Sequence, residues 1–435
     1  RFKAKFKYRT KMKVYALRTP ISASLENIAA DKSISHRCAI FSLLSDKPSR
    51  VKNYLKAEDT LNTLEIVKNL GARIEEKEGE LIITPSANLK EPSVVLECGN
   101  SGTAMRLFMG FLAASEGFFV LSGDEFLNRR PMARVAKPLI SVGAKIDGAN
   151  GGDHAPLAIR GKKLEYFKFD SKIASAQVKS ALILAGLKSN GCELSEPELS
   201  RDHTERMLKG MGASLQILPR GVKVEPMNAP LKPLEICVPN DPSSAFFFAV
   251  AAAIIPNSHI VLKNMLLNKT RIEAFKILAK MGAQVTFKET SSAYESIGEI
   301  EIKHAPLKAV DVNENISWLI DEVPALAIAF ANAQGISSVR NAKELRIKES
   351  DRIAIMVQGL RKCGLEVEEF EDGFSVKGGE ANCAIIDSSG DHRIAMSFAV
   401  LGLKCGMVIE KSEFIATSFP NFSGILRQLG ASVED

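Results

Sequence analysis

Along the chain, short stretches that alternate apolar and polar residues are separated by longer stretches whose apolar residues recur every three to four positions, the periods of strand and helix. The two patterns repeat together. An amphipathic helical stretch runs into a glycine and then a short alternating strand at Gly71 (NLGARIE), Gly143 (SVGAKID), Gly212 (GMGASLQ), Gly282 (KMGAQVT), Gly364 (KCGLEVE) and Gly430 (QLGASVE). Successive glycines stand 66 to 82 residues apart, and glycine suits the left-handed conformation that commonly ends a helix. A second, more apolar helix keeps the same rhythm in SHRCAIFSLL, GTAMRLFMGFLAA, SAQVKSALILAGL, SSAFFFAVAAAII, DEVPALAIAFANA and DHRIAMSFAVLGL. Between the helices lie β-rich pieces such as GELIITP, GFFVLSG, CELSEP, HIVLKN, SSVRN and GMVIEK. The pattern predicts six copies of a roughly 70-residue β/α unit. Three copies per domain give two similar α/β domains, with the Pro-rich stretch 226–242 as the candidate boundary.

Composition narrows this picture without changing it. The 435 residues are 46% hydrophobic and 25% charged, ordinary globular usage. The longest fully apolar run, Ala245 to Ile255, is far short of the roughly 18 residues that cross a bilayer. The net charge of +6 is local: six of the 57 basic residues fall within positions 1–11, leaving 51 against 51 acidic residues. A polyanion-binding surface is therefore not indicated, and neither nucleic acid nor membrane is an expected partner. Met12 reads as a natural start and residues 1–11 as an added or processed leader outside the fold. Seven cysteines are scattered without a CxxC pair, and six histidines show no HxxxH. This excludes a recognisable zinc site or disulfide framework and fits a reducing cytoplasm.

The candidate chemistry lies where the apolar helices begin. Each opens with a polar cluster: Lys32-Ser33, Asn100-Ser101-Gly102-Thr103, Ser175-Ala176-Gln177, Asp241-Pro242-Ser243-Ser244, Asp321-Glu322 and Asp391-His392-Arg393. Capping of free backbone N–H groups accounts for such residues on its own. The cations beside them point further. Arg37, Arg106, Arg130, Arg134, Arg201, Arg346, Lys348, Arg352 and Arg393 stand at or near these ends, and arginine forks match carboxylates and phosphates. Helix N-termini and arginines together predict a small, multiply anionic substrate. Neither GxxxxGK[ST] nor a strand-borne GxGxxG is present, which disfavours nucleotide use.

The runs Ala29-Ala30-Asp31-Lys32-Ser33-Ile34-Ser35-His36-Arg37, Gly99-Asn100-Ser101-Gly102-Thr103-Ala104-Met105-Arg106, Arg130-Pro131-Met132, Ala174-Ser175-Ala176-Gln177, Lys348-Glu349-Ser350-Asp351-Arg352 and Asp391-His392-Arg393 resemble, in order, the signatures of the EPSP synthase family of enolpyruvyl transferases. The resemblance covers residues 12–435. It implies two domains, each of three βαβαββ units in an inside-out α/β barrel (α+β in some schemes). One domain is expected from residues 31–239 and the other from 12–30 plus 240–435, with the active site in the cleft between them. It further implies transfer of the enolpyruvyl group of phosphoenolpyruvate to the 5-hydroxyl of shikimate 3-phosphate, with no cofactor and no metal. Lys32, Ser33, Arg37, Ser175, Ala176, Gln177, Arg201, Asp321 and Lys348 are the implied contacts of shikimate 3-phosphate. Lys32, Asn100, Gly102, Arg130, Gln177, Arg352 and Arg393 are those of phosphoenolpyruvate. Asp321 matches the base for the 5-hydroxyl, Glu349 the acid for the methylene carbon, and Lys32 completes the catalytic set. A cytoplasmic monomer inhibited by glyphosate is expected. Six positive helix ends facing an empty cleft should hold it open until the dianionic shikimate 3-phosphate binds.

Two rivals are weighed against this reading. A UDP-N-acetylglucosamine enolpyruvyl transferase has the same architecture, but carries a cysteine in the loop corresponding to 127–134, which here has none. A non-catalytic binding protein of the same fold would not need Lys32, Asp321, Glu349 and the arginines together. The chain also departs from the pattern. Leu107 follows Arg106 where one branch has proline, no lysine stands near Thr417, and His203 occupies the place of an aromatic hydroxyl. Cys98, beside the second signature, reads as a small buried residue.

Overall fold

The computed structural model describes residues 11–292 and 294–435, and among these the strands form six four-stranded sheets. All six share one plan, a parallel pair followed by two antiparallel strands. In the second unit, Leu96–Glu97 runs parallel to Gly117–Ser122, which pairs antiparallel with His154–Gly161, and that strand with Lys145–Gly148. A parallel step needs a crossover, and in every unit an apolar helix leads into one strand of the pair. In the first and fourth sheets the paired strands, Ser49–Lys52 with Glu235–Cys237 and Ser22–Leu25 with His259–Leu266, are also separated by most of the first half of the chain. These crossover helices are α1 (Lys32–Ser42), α2 (Gly102–Ala113), α3 (Ala176–Leu187), α4 (Pro242–Ile254), α5 (Val323–Ala331) and α6 (His392–Cys405). A second, amphipathic helix such as Ala133–Ser141 or Arg352–Lys362 follows, giving the order βαβαββ.

Periodicity explains why the apolar helices go inside. α4 and α5 are hydrophobic on every face, and all their residues are buried. In the first half, α2 and α3 cross so closely that a Cβ on Gly110 would stand 2.1 Å from the carbonyl oxygen of Ala181. The six repeated glycines all end amphipathic helices with positive φ, from +84° at Gly364 to +115° at Gly282. A side chain is strained in that conformation, which is why the sequence keeps glycine there.

Two cores result. The first draws on residues from Ala30 to Val238, with Leu266; the second on Met12 to Ile28 and Ala245 to Ala431. Residues early in the chain belong to the second core because Lys11–Val14 lies in the sixth sheet, between Met407–Glu410 and Val433–Glu434. Ser22–Leu25 then pairs with His259–Leu266 in the fourth sheet. Lys11, the last residue of the basic stretch, is thus the first residue of a strand, and residues 1–10 lie outside the described residues. The Pro-rich stretch 226–242 is no slack linker. Its Glu235–Cys237 segment completes the first sheet beside Ser49–Lys52. The two passages between the halves pair with each other: the Asp31 amide donates to Pro239 and the Asp241 amide to Ala29. Beneath them the buried Arg271 bridges Asp31 (2.6 Å) and Asp241 (2.7 Å). No helix among the described residues is long and apolar enough to cross a membrane.

Candidate active site

The N-termini of all six crossover helices open on one cavity of about 470 Å³ between the halves. Side chains of Asp31, Ser101, Ser175, Asp241 and Asp391 cap five of them. The exception is α5, which starts after Glu322 with Pro324 in its first turn and no side-chain cap. Asp321 is therefore free of the capping role its position suggested and faces the cavity. Ten basic and six acidic residues line the walls, a surplus suited to an anion carrying several charges.

Every residue implied as a substrate contact or catalytic group lies on this wall except Arg352, while Arg346, counted among the candidate cations, is held away from it by Asp351 and Glu369. Arg352 is buried directly behind it, its Nε 2.8 Å from Asp391 and its Nη2 donating to Glu349 at 2.6 Å. The Glu349–Arg352 pair is consequently an interior contact rather than a solvated helix-surface pair. Asp321 receives Arg201 at 2.7 Å, with Arg352 at 3.6 Å and Arg393 at 3.8 Å. Burial opposes its ionisation, but Arg393, Arg201, Lys348 and Arg352 outweigh burial and hold its carboxyl well below the ordinary aspartate value. For Glu349 burial is likewise outweighed, chiefly by Arg352 and Arg130 with Lys32, and its carboxyl too lies well below the ordinary value. His392 is driven down to about 3 by burial and by Arg393, so it is neutral.

On the opposite wall, Gln177 accepts from Arg106 (3.0 Å) and donates to Thr103 (3.3 Å), tying α3 to α2. Arg37 is largely committed inside the protein, to Thr204, Ser33 and Ser180, and burial lowers it to about 10. The Ser200–Arg201 loop is fixed from below. Lys179, buried between Glu196 and Glu205 at 2.8 Å from each, donates to the Ser200 carbonyl, and Glu196 accepts from the Ser200 amide and hydroxyl.

Several buried polar atoms at the cavity have no hydrogen-bond partner: Asp59 Oδ1, Asn100 Oδ1, Ser317 Oγ, Arg106 Nε, Arg130 Nε and Nη1, Arg201 Nε, Arg271 Nε and, behind the wall, Arg352 Nη1. Leaving such a group unpaired costs about 1–3 kcal/mol, more when charged, so native proteins rarely do so without a use for it. Six of the nine are guanidinium nitrogens, which favours an anion as the matching ligand.

The expectation of a self-repelling cleft is corrected by the carboxylates. Arg201 meets Asp321, Arg134 meets Glu344 (2.9 Å), and Arg130 stands 3.5 Å from Glu349, each pair joining opposite halves. The Trp318 indole donates to the Leu199 carbonyl, and Phe126 packs edge-on against Phe414, 5.6 Å between centroids. Counting cations and helix ends alone missed these compensating groups.

Other residues emerge only in three dimensions. Asp59 pairs with Lys32, and Glu344, Ser200 and Arg271 join the wall. The partners of Glu344 and Arg271, Arg134 and Asp31, lie 210 and 240 residues away, so no local spacing signals them. Thr417, where a lysine was missed, bonds the Phe414 carbonyl and is off the wall. His203 is buried, with Nδ1 at 2.6 Å from Glu295 and Nε2 at 3.3 Å from Arg271. The arginine is a donor, so Nδ1 carries the imidazole proton. Asp202, His203 and Glu295 gather closely enough for a metal, but Asn268, Arg206 and Arg271 already engage them. Cys98 is fully buried and off the wall.

Comparison with known proteins gives the family and the fold. The sequence profile of the family described as EPSP synthase (3-phosphoshikimate 1-carboxyvinyltransferase) matches residues 16–426. A 3-phosphoshikimate 1-carboxyvinyltransferase of Campylobacter curvus is 74% identical over 424 residues, covering 98% of this chain and 100% of the relative. One from Campylobacter jejuni is 57% identical over 427 residues, covering 97% and 100%. Among solved structures, EPSP synthase from Acinetobacter baumannii superposes with a TM-score of 0.86 at 37% identity, covering 98% of this chain and 100% of that one. The enolpyruvyl transferase NikO from Streptomyces tendae, 15% identical with a TM-score of 0.79, covering 98% of this chain and 99% of that one, shares the fold.

Proposed function

The chain belongs to the EPSP synthase (3-phosphoshikimate 1-carboxyvinyltransferase) family, and from that premise we propose how its cavity carries out the family's reaction. The enzyme is a transferase that moves the enolpyruvyl group of phosphoenolpyruvate to the 5-hydroxyl of shikimate 3-phosphate and releases phosphate, a step of aromatic amino acid biosynthesis. The observation that carries the site assignment is the convergence of six helix N-termini with uncommitted guanidinium nitrogens on one cavity.

Shikimate 3-phosphate is assigned to Lys32, Ser33, Arg37, Ser175, Ala176, Gln177, Arg201, Asp321 and Lys348. Phosphoenolpyruvate is assigned to Lys32, Asn100, Gly102, Arg130, Gln177, Arg352 and Arg393. In the addition step Glu349 gives a proton to C3 of phosphoenolpyruvate, C2 becomes electrophilic, the 5-oxygen bonds to C2, and Asp321 takes the hydroxyl proton. In the elimination step C3 loses a proton, the C2–C3 double bond re-forms, and the C2–O bond to phosphate breaks. Acid and base must stand apart for this, and they flank Arg352, which pairs with Glu349 at 2.6 Å and approaches Asp321 at 3.6 Å. Fixed cations stabilise the charge that shifts onto the leaving phosphate. The enzyme is read as a cytoplasmic monomer. The test is phosphate release: release only with both substrates is expected, and release with UDP-N-acetylglucosamine instead would favour the rival transferase.

Glyphosate sensitivity follows from the same assignment. A Cβ on Gly102 would stand 2.6 Å from the Arg106 Nη1 and 3.1 Å from the Arg130 Nη2. Those are the ends of flexible side chains, so Gly102→Ala folds but shifts Arg130, a phosphoenolpyruvate contact, and Arg106, which donates to another, Gln177. Glyphosate is the longer ligand and tolerates less displacement. The variant is expected to raise the glyphosate inhibition constant by a larger factor than the KM for phosphoenolpyruvate. Equal shifts in steady-state inhibition, or an insensitive parent, would contradict the placement.

A further inference from the structure

One ion pair on the cavity wall has no role in the steps above. Arg134 lies on the helix Ala133–Ser141, four residues after Arg130. Its two terminal nitrogens meet the two carboxylate oxygens of Glu344, at 2.9 and 3.4 Å. Glu344 sits on the 3-10 turn Lys343–Ile347, four residues before Lys348 and 3.7 Å from its ammonium. The neighbours of Arg134, Val135 and Ala136, pack in the first core, whereas Leu345 beside Glu344 packs in the second. The fork therefore crosses the cleft. A second crossing, four residues from Arg134 and five from Glu344, is the looser approach of Arg130 to Glu349, at 3.5 Å.

We propose that the Arg134–Glu344 fork is a positioning latch, setting the distance between the arginine that holds phosphoenolpyruvate on one half and the lysine and acid carried by the other. The proposal deepens the function above and rests on it. A two-pronged guanidinium–carboxylate contact fixes orientation as well as distance, which a single lysine contact does not. Each partner stands four residues along the chain from a residue assigned to a substrate, Arg130 or Lys348, so the latch carries the register of the two halves to Arg130 and to Lys348 and Glu349. Glu344 suits this use. Burial raises its carboxyl, but Lys348, Arg134 and Arg106 outweigh that and keep it ionised at neutral pH. Both partners reach the wall with moderate exposure, 16% for the Arg134 side chain and 39% for that of Glu344, so substitutions there leave the cores intact.

The test is a double-mutant cycle on phosphate release with Arg134→Gln, Glu344→Gln and the double variant. Each single variant is expected to lower kcat/KM for phosphoenolpyruvate by about tenfold, and the double variant by no more than the worse single one. Arg134→Lys, which keeps the charge but not the fork, is expected to stay impaired. Losses that multiply in the double variant, full activity in Arg134→Lys, or single effects below twofold would each overturn the latch. A parent without turnover would fail the reaction instead, and scattering then still decides about the latch. Glu344→Arg sets two guanidiniums face to face and is expected to enlarge the radius of gyration of the unliganded protein in small-angle scattering. An unchanged radius would count against a cross-cleft contact.

Discussion

Asp321→Asn is expected to slow turnover by about two to four decades, the usual range for losing a general base, with both substrates still bound. Asparagine keeps the size of the side chain and one acceptor oxygen, but cannot take the 5-hydroxyl proton. Arg201, Arg352 and Arg393 remain around the position, at 2.7, 3.6 and 3.8 Å in the parent, and lose a competitor for substrate anions. KM values are therefore expected to hold or fall while kcat collapses. The pH behaviour follows from the sign of the shift. A carboxyl held well below the ordinary aspartate value stays ionised from about pH 5 to pH 8, so any acid limb in that window belongs to another group. The variant's profile should keep the parent's shape at a lower height. Near-normal kcat in steady-state phosphate release would remove Asp321 from the base role.

Glu349→Gln is expected to cost a similar two to four decades, through the other half of the chemistry. In the empty cavity Glu349 is held ionised, with one oxygen 2.6 Å from Arg352 and the other 3.5 Å from Arg130. An ionised acid has no proton to give. Phosphoenolpyruvate brings its own carboxylate and phosphate to those arginines, and the added negative charge raises the Glu349 carboxyl toward protonation. Glutamine imitates the neutral form in shape but delivers nothing. Glu349→Asp keeps an acid one methylene too short and is expected to recover part of the loss. A glutamine variant that turns over at the parent's rate would show that the proton comes from elsewhere.

The sixfold rhythm was legible because it is local. Gly71, Gly143, Gly212, Gly282, Gly364 and Gly430 each end a helix with positive φ, a requirement written into single residues. The polar starts of the apolar helices were legible for the same reason, and their meeting at one cavity follows once three equivalent units share a core. Pairings between distant segments were not legible. Nothing near Glu235–Cys237 says that its partner is Ser49–Lys52, and nothing in Lys11–Val14 points to the sixth sheet. The same limit hid the carboxylates that partly offset the cations of the cleft. Arg134 and Glu344 are 210 residues apart, and Arg271 and Asp31 are 240 apart. Charge patterning can count such groups but cannot pair them. Asp321 shows the reverse case. Its position suggested a helix cap, and only the start of α5 after Glu322 frees it for chemistry.

The central claim is that an acid at Glu349 and a base at Asp321 drive an addition followed by an elimination in the cleft. Running the reaction in deuterium oxide and weighing the product by mass spectrometry tests it most directly. Addition makes C3 a methyl group carrying one solvent deuteron, and elimination removes one of its three hydrogens, so the parent should yield enol ether with deuterium in the methylene. Glu349→Gln should lose turnover and deuterium incorporation together. Product formed at the parent's normal rate with no deuterium at C3 would contradict the mechanism.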